Sequence, residues 1–94
     1  MEKIVKCLID DYRKEQTFAL AHSARIVAVG AIKSPSADEV KIILWVLNDA
    51  AAPQVPRTFC HIGEGLPTQG WLFQCAGRTA FGAAFIFERI ATEP

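Results

Sequence analysis

The sequence predicts an all-β chain, a small antiparallel β-sandwich or barrel of about seven strands. Three observations carry this. Apolar and β-branched residues fall in short runs, several of them alternating at period two. Turn residues interrupt those runs about every 8–15 positions. No stretch keeps the helical period over the roughly ten residues that a helix needs. The strands form one domain over residues 1–90, and 91–94 reads as a frayed tail.

The first strand is Lys3–Ile9, ended by the turn signal Asp10-Asp11. Gln16–Ala21 alternates, with Phe18 and Leu20 on one side and Thr17 and Ala19 on the other. Arg25–Ile32 contains Gly30, which inside a strand marks a bulge or a close backbone approach. Lys33–Asp38 clusters Pro, Ser and Asp as a connecting loop. Val40–Leu47 is almost continuously apolar, so it reads as a strand buried on both faces or covered by a partner. A short helix capped by Asp38 is its rival, disfavoured by Val40, Ile42, Ile43 and Val46. Two prolines make Ala50–Pro56 a loop. Arg57–Ile62 and Gly70–Gln74 are short strands, separated by the breaker Gly63–Pro67, and Ala76-Gly77-Arg78 turns the chain. Finally Ala80–Ile90 sets Phe81, Ala83, Phe85 and Phe87 on one side of a strand, an aromatic stripe that reads as a core face. The predicted core is Phe18, Leu20, Ile26, Ile42, Leu44, Trp45, Leu47, Phe85 and Phe87.

Composition excludes several classes. Ninety-four residues with 51% hydrophobic side chains can build one modest core, which a disordered chain lacks. Ten basic and ten acidic side chains give a net charge of zero, unlike a protein that holds bulk nucleic acid by its phosphates. No apolar run approaches the roughly 18 residues of a membrane span, and Met1-Glu2-Lys3 leads into a strand rather than a signal peptide. A soluble protein of the cytoplasm is expected. The three cysteines, Cys7, Cys60 and Cys75, are odd in number and widely spaced, so free thiols are expected rather than a disulfide framework. Zinc-type spacing is missing, and neither metal nor cofactor is predicted.

Several stretches occur together in one order: Gln16-Thr17-Phe18, Ser23-Ala24-Arg25-Ile26, Trp45-Val46-Leu47-Asn48-Asp49 with Pro53, Ile62–Pro67, and the closing Phe85-Ile86-Phe87-Glu88. This order resembles a family of short phage and prophage proteins of unknown function. There, a Gln-Thr strand leads to Gly-Ala-Arg, a Leu-Trp-Ala-Leu-Val-Asp strand leads to a proline loop, and a Gly-Thr-Gly turn precedes a last Phe/Val-rich strand. The chain departs from the pattern at Ser23, at Glu64 between the glycines, and around Arg78. The resemblance implies a phage-encoded accessory protein with a small β fold, acting in the host cytoplasm. It transfers no active site.

The residues themselves offer few constellations. Gly63-Glu64-Gly65 reads as a tight turn, since a carboxylate between the glycines would repel phosphate. Cys60, His61 and Glu64 supply a nucleophile, a base and an acid on paper, but adjacent strand residues diverge. His22 reads as a solvated loop residue. Arg57, Arg78 and Arg89 carry guanidinium groups suited to carboxylates or phosphates, and Trp71 suits protein contact or stacking. The predicted binding surface comprises Arg57, Glu64, Trp71 and Arg78, beside Pro/Gly-rich connections.

These features favour a non-catalytic binding protein that inhibits a host protein, such as a component of antiviral defence. One alternative is a sponge that sequesters a small nucleotide signal; another is a minor structural or assembly protein of the virion. The apolar excess of Val40–Leu47 further predicts a homodimer, in which a second copy covers exposed sheet edges.

Overall fold

A computed structural model describes residues 1–10, 15–33 and 39–90. The strands are β1 (Glu2–Asp10), β2 (Gln16–Ala21), β3 (Arg25–Lys33), β4 (Val40–Asp49), β5 (Gln54–His61), β6 (Trp71–Thr79) and β7 (Gly82–Arg89). They form two antiparallel sheets with the orders β1-β4-β3 and β2-β5-β7-β6, so the architecture is a small β-sandwich. Positions 34–38 of the predicted loop, Asp11 of the first turn signal and the 91–94 tail lie outside the described residues.

Alternation decides what is buried. Cys7 and Ile9 of β1 and Ile42, Leu44 and Val46 of β4 face Leu20, Phe59, Ala84 and Ile86 of the other sheet, forming one core. Asn48 is the buried polar exception. Its Oδ1 accepts a hydrogen bond from the Ala21 backbone N–H at 2.7 Å, and its Nδ2 donates to Gln54 Oε1 at 3.1 Å. It thereby stitches the end of β4 to β2 and β5, with its own amide satisfied on both sides.

The predicted core needs correction on one face of each sheet. Leu20, Ile42 and Leu44 are buried, and Phe18 and Ile26 pack against the core half-buried. Trp45, Leu47, Phe85 and Phe87 lie on the opposite parity, on the outer faces, and are half-buried. In the last strand the small and aliphatic members Ala84 and Ile86 fill the core instead. An uninterrupted apolar run has no polar side to break the tie between its two faces, so side-chain size is no guide to which face turns inward.

Two boundaries also move. Ala50–Pro56 is not all loop: β5 starts at Gln54, and Pro56 sits opposite Ala19 of β2. On its other side β5 pairs with β7 only over Phe59–His61, so the proline lies where one edge of the strand is open. Nor does the chain turn at Ala76-Gly77-Arg78, which is strand; the reversal comes after Thr79, where Gly82 has φ +116°. Gly77 serves packing instead, because a Cβ there would stand 3.0 Å from Cβ of Val29 in the facing sheet.

Gly30 answers to the close-approach reading; the β3 bulge lies between Ile26 and Ala28. The Trp45 indole crosses Gly30 on the outer face, and a Cβ at that position would meet ring carbons at 2.8 and 2.9 Å. Gly30→Ala should displace the ring and cost about 1–3 kcal/mol. Urea unfolding together with Trp fluorescence checks this; a neutral change would mean that the ring moves aside freely.

Candidate functional site

The four predicted residues do not form one cluster. The structure sets them at both ends of the four-stranded sheet and on different faces. Arg57 sits beside Phe59 on the inner side of β5, with its guanidinium 5.5 Å above that ring. Its Nε and Nη2 each donate to Glu88 of β7 at 2.8 Å, forming a bidentate pair. Its Nη1 also donates to the backbone oxygens of Ala24 at 2.6 Å and Ala21 at 3.1 Å, where the chain passes from β2 to β3. The side chains of Arg57 and Glu88 are only 12% and 17% exposed. Hydrogen bonding to Glu88 pushes the guanidinium still further above its ordinary pKa. These contacts make Arg57 an internal strut.

Glu64 lies in the predicted tight turn, where Leu66 N–H donates to the Gly63 oxygen and Gly65 has φ +82°. It joins His61, Val40, Leu66, Thr79 and Phe81 around a cavity of about 400 Å³ at one end of the sandwich. A second cavity, of about 660 Å³, lies beside Arg57, Leu72, Glu88 and Arg89, where β5 parts from β7.

Trp71 and Arg78 do share a face. Both lie on the outer side of β6, and the register sets Trp71 opposite Arg89, Phe73 opposite Phe87, Ala76 opposite Phe85 and Arg78 opposite Ala83. A bulge between Phe73 and Cys75 restores this alternation after one irregular residue. Phe73 and Phe87 meet edge to face with centroids 5.5 Å apart, and Phe73 remains 53% exposed. Arg89 lies over the Trp71 indole at 4.8 Å and also forms an ion pair with Glu15. Arg78 is exposed at the far end, roughly 20 Å along the strand. The result is an aromatic strip with an arginine at each end.

Phe73, the most open ring of the strip, is absent from the predicted set. Its signal is the register partner: a phenylalanine facing a phenylalanine across two strands needs the pairing, which a single sequence does not supply.

The paper triad separates. Cys60 and His61 occupy opposite sides of β5, and only His61 borders the cavity with Glu64. Burial pushes the Cys7 and Cys75 thiols above their ordinary pKa, which favours the weakly nucleophilic protonated form. Among the described residues no three His, Cys, Asp or Glu side chains gather to hold a metal ion, and no helix is long and apolar enough to cross a membrane. No protein-family model, curated protein or solved structure matches the chain.

Proposed function

We propose that this chain is a non-catalytic binding protein that attaches to another protein through the outer face of β6 and β7. The observation that carries the reading is the outer-face strip of exposed Phe73 beside half-buried Phe87 and Phe85, framed by Arg78 and by the Trp71–Arg89 stack. Trp and Arg are among the residue types that dominate binding energy at protein interfaces, Phe is enriched there, and a strand pair holds them in place at little entropic cost. An aromatic centre flanked by two guanidinium groups suits a partner with an apolar patch and carboxylates at its rim. Small size, balanced charge and the likeness to short phage proteins support a reading in which that partner is a host protein and binding inhibits it, as in countering an antiviral defence.

The test begins by capturing a stoichiometric protein from a bacterial host lysate on the wild-type chain. Its affinity is then measured for Phe73→Ser, Trp71→Ala and Arg78→Ala. Each should weaken binding by about 2 kcal/mol or more, with the circular dichroism spectrum retained. Equal affinity of all three variants would place the interface elsewhere. A rise in melting temperature with a mono- or dinucleotide, and no captured protein, would favour the sponge instead.

A further inference from the structure

We infer that the first half of β1 is a pairing edge for a second copy of this chain, antiparallel across a two-fold axis at Ile4, with Glu2 of each protomer opposite Lys6 of the other. β1 ends the three-stranded sheet, and among the described residues no strand pairs with its free side. Glu2 through Lys6 are all exposed, whereas Cys7 and Ile9 further along are buried. The strand thus runs out beyond the cover of the other sheet, carrying Ile4 at 61% exposure with Val5 beside it. An uncovered edge with apolar side chains invites another strand.

Charge picks the partner and the register. Among the described residues Glu2 and Lys6 form no ion pair within the protomer. Four residues apart, they are roughly 13 Å from each other and do not meet. Across the sheet Glu2 faces Asp49, whose carboxylate the Met1 amino group already holds at 3.1 Å, and Lys6 faces Trp45. A two-fold at Ile4 sets both unspent charges against opposite ones twice over, with Ile4 against Ile4 between them. A two-fold at Lys6 would instead oppose lysine to lysine and Glu2 to Asp10. One at Leu8 would oppose Lys6 to Asp10, but Lys41 already engages Asp10. A two-fold at Val5 would set Glu2 against Leu8 and Ile4 against Lys6, one at Cys7 would set Lys6 against Leu8, and one at Lys3 would oppose lysine to lysine, so none of these matches the charges. Pairings of odd with even residues turn the core face of one copy to the outside of the other.

The experiment is sedimentation equilibrium at tens of micromolar on the wild type, Lys6→Glu, Glu2→Lys and the double exchange. Wild type should sediment at twice 10.3 kDa. Each single change places like charges opposite at two symmetric points, so dimerisation should weaken on the order of tenfold to a hundredfold. The double exchange recreates both attractive pairs and should restore the dimer. Circular dichroism confirms that each variant is folded. A wild-type monomer overturns the proposal, and so does a dimer that tolerates the single changes. Failure of the double exchange to rescue overturns the register, because a two-fold at Leu8 would leave the introduced carboxylate at position 6 against Asp10.

Discussion

Arg57→Ala is expected to remove about 3–5 kcal/mol of folding stability, a large share of what a domain of this size holds. The loss has three sources. The Glu88 carboxylate stays in its largely buried place without its two 2.8 Å donors. The Ala21 and Ala24 backbone oxygens lose the guanidinium that bridges them. Phe59, otherwise fully buried, loses the cation above its ring. Removing one partner of a buried pair costs far more than the pair contributes relative to an apolar substitute. The double variant Arg57→Met with Glu88→Leu should therefore recover much of the loss, and Arg57→Lys should not, because an ammonium group cannot serve two carboxylate oxygens and two carbonyls from one plane. Urea unfolding of the four proteins measures this directly. An Arg57→Ala loss below about 1 kcal/mol, or a double variant no better than the single, would show that water replaces the guanidinium without cost.

Arg57 also shows where sequence reading stops. Arginine beside a proline-rich stretch has the composition of a recognition residue, and its partner Glu88 lies 31 positions away. Only the pairing of β5 with β7 brings the two together. Trp71 reads correctly as a strand residue, but Arg78, read as part of a turn, belongs to the same strand, and only the bulge between Phe73 and Cys75 sets the two on one face. The seven strands were legible because turn chemistry and period two are properties of short windows. Pro56 and Gly77 fell on the wrong side of strand boundaries because their roles, an open edge and a close sheet approach, depend on neighbours distant in sequence.

The last strand gives the sharpest contrast. Ile86→Ala is expected to cost about 2–5 kcal/mol, and Phe85→Ala distinctly less, although phenylalanine is the larger side chain. Ile86 has no exposed surface and packs in the core between the sheets, whereas Phe85 is half-buried on the outer face opposite Ala76. Removing Ile86 leaves a void whose walls, among them Phe59 and Leu44, belong to strands held by their own ladders, so the site collapses only in part. Truncating Phe85 opens a dent that water fills, and the loss is confined to the apolar area that the ring shields, on the order of 1 kcal/mol. The pair also tests the register, because a slip of one residue would exchange the two faces and reverse the order of the effects. If urea unfolding finds Phe85→Ala the more damaging change, the aromatic side of β7 faces the core, and the binding strip on β6 and β7 disappears with it.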